Sequence, residues 1–250
     1  MEFLIVCPLA LIAGFIDAVA GGGGLVSIPA YLFAGLPVHS AIGTNKLSST
    51  MGTAIATWRY ARNGFMVPTF CAAGVACGLA GSAIGSHLAL ATGDLIFKAI
   101  MLAILPVIAF YVMRTKDFST FAEHPLPTCA AVLVTAAVAL AIGVYDGFYG
   151  PGTGTFLMLL LTRLARQDLT VAAGTTKAVN LATNASALVV FLANGVVLLP
   201  LGLAAGAFNI VGNWLGARHF TSKGSKAVRP IMLLVLALFA VKLVADLVAA

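Results

Sequence analysis

Gly14-Phe15-Ile16-Asp17-Ala18-Val19-Ala20-Gly21-Gly22-Gly23-Gly24 is the stretch on which the fold turns, because its pattern returns as Gly143-Val144-Tyr145-Asp146-Gly147-Phe148-Tyr149-Gly150-Pro151-Gly152-Thr153-Gly154. In both copies an aspartate three residues after a glycine precedes a glycine run that a helix cannot absorb without breaking. Asp146 follows Asp17 by 129 positions. Downstream, Gly43-Thr44-Asn45-Lys46 faces Gly174-Thr175-Thr176-Lys177, Asn63-Gly64 faces Asn194-Gly195, and Gly81 with Gly85 faces Gly212 with Gly216, all at 131 positions. Lys98-Ala99-Ile100-Met101-Leu102 and Arg229-Pro230-Ile231-Met232-Leu233 keep that register. A similarity held over most of the chain marks a duplicated architecture.

Around these motifs the chain is apolar. Hydrophobic residues make up 61% and charged residues 9%, against about 25% charged in a soluble domain. Blocks such as Phe97 to Met113, Thr128 to Tyr145 and Ile231 to Val248 approach the roughly 20 residues a helix needs to cross hydrocarbon. They lack the alternation of barrel strands. The net charge of +6 sits in short connections, which points to lipid headgroups and away from nucleic acid. Cys7, Cys71, Cys77 and Cys129 lie in apolar stretches without zinc-like spacing, so neither a metal nor a cofactor is expected. Leu4 to Ala13 with Ala18-Val19-Ala20 imitates a secretory signal, yet only Glu2 is charged before it. Its motif recurs at Gly143, so the segment is expected to belong to the fold.

The expected fold is an all-α polytopic membrane protein of two inverted repeats, residues 1–113 and 128–250, joined by a cytoplasmic linker at 114–127. Each repeat is a Gly-broken hairpin (3–35, 128–163) followed by three transmembrane helices: 44–62, 68–91 and 97–113, then 175–193, 197–217 and 228–248. Arg59 with Arg62, Arg114 with Lys116, Arg163 with Arg166, and Arg218, Lys223, Lys226 and Arg229 are placed on the cytoplasmic side. These placements agree only if each hairpin returns to the side it left, because three further crossings then turn the second half upside down.

Asp17, Asp146, Lys46 and Lys177 are the charges set deepest in apolar sequence. Each costs about 2.5–3.5 kcal/mol at membrane depth unless it is paired or meets water. In the simpler reading the lysines snorkel from helix starts and the aspartates cap helix N-termini. In the sharper one, broken-helix ends, free amides and two ammonium groups meet near the midplane as an anion site. The candidate substrate-binding residues are Asp17, Gly21, Gly22, Gly23, Gly24, Asn45, Lys46, Asp146, Gly150, Gly152, Thr153, Gly154, Lys177 and Asn180. Ser48, Ser49, Thr50 and Thr53, with Thr183, Asn184 and Ser186, either line a path or bond their own backbone. The pairs Gly81/Gly85 and Gly212/Gly216 read as helix-packing faces. No G-K-[ST] follows either glycine run. His39, His87, His124 and His219 form no catalytic or metal pattern, so an enzyme is not expected.

Together, Gly-x-x-Asp-Ala-Val-Ala-Gly-Gly-Gly-Gly with Gly-Thr-Asn-Lys, then Tyr-Asp-Gly-Phe-Tyr-Gly-Pro-Gly-Thr-Gly with Thr-Lys, resemble the TauE/SafE sulfite exporter family along essentially the whole chain. The resemblance implies a secondary transporter of sulfur-containing oxyanions or organosulfonates such as sulfite, multi-pass in the cell (inner) membrane. Asp17 with Gly21 to Gly24, Asn45-Lys46, Asp146 to Gly154 and Lys177 fall on the family's signature positions, and Thr176 stands where the first half has Asn45. Alternating access at a midplane site is the expected mode, with a coupling proton or cation as partner beside the small anion and the lipid bilayer. Assembly into homo-oligomers is compatible with it. A passive anion channel and a carrier of carboxylates are the rival readings.

Overall fold

A computed structural model describes residues 1–93, 95–97, 99, 100, 103 and 126–223. The blocks expected at 97–113 and 228–248, the linker charges Arg114 and Lys116, and His124, Lys226 and Arg229 lie wholly or mainly outside the described residues.

The described elements are helices, as hydrocarbon demands of a chain that must satisfy its own backbone. In order they are α1 (Glu2–Ala20), α2 (Gly24–Phe33), α3 (Val38–Arg62), α4 (Pro68–Ala91), α5 (Thr128–Phe148), α6 (Thr153–Arg163), α7 (Leu169–Ala193) and α8 (Leu199–Lys223). Among the described residues α1, α4, α5 and α7 are long and apolar enough to cross a membrane. α3 and α8 have the length, at 25 residues each, but carry polar residues through their middles, from Asn45 to Thr53 in one and Asn209 and Asn213 in the other. α2 and α6 have 10 and 11 residues, or about 15 Å of helix, half of a hydrocarbon core. Each therefore reaches only part of the way.

Burial sorts the spans. In α1 and α7, 56% of the apolar window is buried, against 33% in α4 and 28% in α5. The first two are central and the other two turn Leu79, Ile84, Leu88, Leu133 and Leu140 outward. α1 packs on α8 and α5 on α4, while α3 meets α8 as α7 meets α4. These contacts are matched pairs under the sequence correspondence, and they cross between halves. The tight faces are the G-x-x-x-G pairs: a Cβ on Gly81 or Gly85 would lie 2.3 or 2.1 Å from the Leu140 or Val144 carbonyl, and on Gly212 or Gly216, 2.0 or 2.5 Å from the Leu11 or Phe15 carbonyl. Here the packing reading holds.

α3 and α7 run antiparallel, since Gly43 near the start of α3 meets Phe191 near the end of α7, and Gly174 near the start of α7 meets Phe65 just past α3. The hairpin α1–α2 closes on itself, with Leu36 packed beside Val6 and Ala10. α3 and α7 begin at Val38 and Leu169, a turn and a half before the expected 44 and 175. Gly43 and Gly174 sit inside these helices, where the lack of a side chain makes room for Phe191 and Phe65.

Candidate functional site

The breaks in the two hairpins come first, because they shape everything around them. α1 ends where Gly21 turns left-handed at φ 72°, its N–H bonded to the Asp17 carbonyl at 2.8 Å. In the second hairpin Gly150 and Gly152 take φ 95° and 80°. Glycine holds such angles at little cost. The breaks then touch: a Cβ on Gly21 would lie 2.3 Å from the Gly154 carbonyl carbon, and one on Gly154 would lie 2.6 Å from the Gly21 Cα. The Thr155 N–H donates to the Gly21 carbonyl at 3.3 Å and the Thr155 hydroxyl to the Ala20 carbonyl at 2.6 Å. The hairpins thus meet backbone to backbone, with no room for a side chain between them.

The charged residues surround this crossing. Lys46 and Lys177 stand more than two turns inside α3 and α7 and are 1% and 3% exposed, which removes the snorkelling reading. Asp17 and Asp146 lie near the C-terminal ends of α1 and α5, so they do not cap N-termini. A helix C-terminus disfavours an acid, and each acid is compensated by a lysine from the other half. Lys46 Nζ is 2.8 Å from Asp146 Oδ2, and Lys177 Nζ is 3.1 Å from Asp17 Oδ2.

Neutral groups complete the two pairs. Lys177 also donates to the Asp17 backbone carbonyl. Asp17 further accepts from Thr53 Oγ1 and Asn180 Nδ2, each at 3.4 Å. Lys46 donates to Asn184 Oδ1 at 3.1 Å. Thr153 Oγ1 lies 2.7 Å from both Asp146 Oδ1 and the Gly150 carbonyl. Asp146 Oδ2 is held by the Lys46 ammonium group at 2.8 Å, a charge-assisted contact closer than the 3.1 Å of the other pair. Asn184 Nδ2 donates to Asn180 Oδ1 at 3.2 Å, tying the amides into one network.

A cavity of about 20 Å³ opens among these groups, room for roughly one water. Of the residues singled out in the sequence, Asp17, Gly21, Gly23, Gly24, Asn45, Lys46, Asp146, Gly150, Thr153 and Asn180 line it. Gly22, Gly152, Gly154 and Lys177 stand outside the lining: Lys177 behind Asp17, and Gly154 in the backbone crossing. Ser49, Thr53 and Asn184, left between path lining and self-bonding, also reach the cavity. Asn209 was not singled out. An asparagine in an otherwise apolar helix, followed one turn later by Asn213, was the available signal.

The start of α2 offers amides without intrahelical partners at Gly23 and Gly24, and the start of α6 brings Thr153. Two half-helix N-termini therefore converge on one cavity beside Lys46, and both favour negative charge there.

Residues 6–243 match the family model described as "Sulfite exporter TauE/SafE". The chain is 37% identical over 246 residues to "Probable membrane transporter protein ORF9" of Sinorhizobium sp, covering 98% of this chain and 93% of that one. It is 32% identical over 238 residues to a "Probable membrane transporter protein" of Haemophilus influenzae, covering 95% and 92%. It is 29% identical over 239 residues to "Probable membrane transporter protein YfcA" of Escherichia coli, covering 95% and 88%. No solved structure matches the chain significantly.

Proposed function

The chain belongs to the sulfite exporter TauE/SafE family, multi-pass membrane transporters rather than enzymes, and from that premise we propose that it is a secondary carrier of small sulfur-containing oxyanions or sulfonates. The observation that carries the reading is the position of Lys46, buried in a cavity faced by two half-helix N-termini. Amides, hydroxyls and one ammonium group are the donors an oxyanion needs.

The charge count favours coupling to a cation. Lys46, Lys177, Asp17 and Asp146 sum to zero, so an added anion leaves one uncompensated negative charge in a low-dielectric site. Lys46 is the cation to release, because it lines the cavity, whereas Lys177 stands behind Asp17. In the proposed cycle the anion takes over Lys46, and Asp146, stripped of its cation, binds a proton that travels with the substrate. Asp17 keeps Lys177 throughout.

Alternating access by inverted repeats fits the antiparallel run of α3 and α7 and the paired contacts of the halves. A carrier is favoured over a channel because the cavity holds about one water and must expand to admit sulfite, whereas an open pore needs a continuous wet path. The test is uptake of labelled methanesulfonate, a permanently ionised sulfonate, into proteoliposomes. Saturable counterflow, accelerated by acid on the entry side, is the expected result. Non-saturable flux indifferent to pH would refute both the carrier and its proton.

A further inference from the structure

The two halves of the cavity differ at one place where bulk has been exchanged between helices. Under the correspondence at 131 positions, Asn209 of α8 falls on Gly78 of α4, and Gly52 of α3 falls on Thr183 of α7. A Cβ on Gly52 would lie 1.8 Å from Asn209 Oδ1 and 2.5 Å from Asn213 Nδ2, so the asparagines occupy the space that glycine leaves. In the other half Gly78 leaves the space, and a Cβ there would lie 3.2 Å from Thr183 Cγ2. The results are unequal. Asn209 reaches the cavity and Thr183 does not; the Thr183 hydroxyl is turned back onto the Asn180 carbonyl at 3.1 Å.

Asn209 is also held in one orientation. Its Nδ2 donates to the Ala10 carbonyl at 3.2 Å, and its Oδ1 accepts from Asn213 Nδ2 at 2.7 Å. The oxygen is taken by Asn213, and of the two Nδ2 protons one goes to Ala10, which leaves the other without a partner among the described residues on a side chain that lines the cavity. Asn213 is fully buried, and its own Oδ1 has no partner among the described residues. A pair serving only to glue α8 to α1 would satisfy its own atoms. This one leaves an acceptor unpaired while it fixes Asn209.

We infer that Asn209 is a specificity-determining residue of the carrier, donating an N–H to one oxygen of an anion whose other oxygen engages Lys46. The inference rests on the anion reading above. With no equivalent donor at Gly78, the anion binds in a single orientation, and anions with several well-separated oxygens, such as sulfite and sulfonates, are preferred over a small carboxylate. Asn213 is a positioning residue that acts through Asn209.

The test measures KM and maximal rate for sulfite, and inhibition by acetate, in proteoliposomes carrying wild type, Asn209→Ala, Asn209→Asp or Asn213→Ala. Losing a hydrogen bond to a charged group should raise the KM of Asn209→Ala for sulfite roughly tenfold. Its maximal rate should hold, and acetate inhibition should change little, so the preference for sulfite falls. Asn209→Asp, equal in shape but repelling an anion, should lose saturable sulfite uptake. Asn213→Ala should show a smaller rise in KM in the same direction. An unchanged sulfite-to-acetate preference in Asn209→Ala would overturn the inference, as would an equal loss for both anions accompanied by a lower melting temperature, the mark of packing glue. If wild type transports sulfite selectively in those cases, the anion reading stands. Wild type that carries neither anion removes both.

Discussion

The Lys177–Asp17 and Lys46–Asp146 pairs use the same residue types on corresponding helices, yet they are built to behave differently. Asp17 gathers Lys177, Thr53 and Asn180 on its carboxylate, and Lys177 has a second acceptor in the Asp17 carbonyl. Asp146 has one hydroxyl, from Thr153, and the Lys46 ammonium group at 2.8 Å. The first carboxylate is held by three side chains and the second by two. The side chain of Asp17 is 13% exposed and that of Asp146 is 3%, so the difference does not come from Asp146 meeting more solvent. It comes from neighbours that the duplication has altered: Asn180 in place of Ser49, Asn184 in place of Thr53, and Thr153 in place of Gly24. One pair thus reads as a strut, its lysine behind the aspartate, while the other has a lysine that faces the cavity and is the pair that the proposed cycle exchanges for substrate.

The comparison can be broken most sharply at Lys177. Lys177→Ala should destabilise the protein by about 3–5 kcal/mol, because it leaves Asp17 charged and buried. Thermal unfolding of the purified protein reads this out, and adding Asp17→Asn should recover much of the loss. Equal melting temperatures for Lys177→Ala and wild type would mean that this pair is not a strut. Next comes Lys46→Met, expected to cut methanesulfonate uptake roughly a hundredfold, because it removes the lysine that lines the cavity. If stability falls as far as in Lys177→Ala and uptake survives, the roles of the two lysines are reversed.

Asp146→Asn sharpens the contrast further. Wild-type uptake should rise as pH falls on the entry side, by up to about tenfold per pH unit for a single coupled proton. The variant, which needs no proton to stay neutral, should give a flat profile. Asp17→Asn should keep the slope of wild type, and a flat profile there instead would move the proton to the other pair. The smallest effect is expected at Thr153→Val, which removes the hydroxyl shared by Asp146 and the Gly150 carbonyl and should cost about 1–3 kcal/mol of stability, read by thermal unfolding.

The repeat made much of this visible in advance. Asp17, Asp146, Lys46 and Lys177 stand out because each appears twice in apolar surroundings, and the glycine runs announce breaks that hydrocarbon tolerates only around a cavity. The exchange of partners across the halves was hidden, since spacing along a chain does not say which of two equivalent lysines an aspartate will meet. Helices α3 and α7 begin six residues before the expected 44 and 175, since a glycine inside a helix, as at Gly43 and Gly174, and one at its end look alike in sequence. Asn209 escaped for a related reason. A search for residues shared by both copies passes over a position whose equivalent is Gly78.

The cross-packing of α1 against α8 bears on how this protein is made. A ribosome delivers Asp17 to the bilayer long before it delivers Lys177, and the glycine face that receives Leu11 and Phe15 arrives later still, at Gly212 and Gly216. Until then the first hairpin is an acid-bearing segment without its counter-charge, which must wait at the insertion machinery or with a chaperone. Truncated chains that stop before α8 should therefore be recognised as incomplete and degraded, however apolar they are.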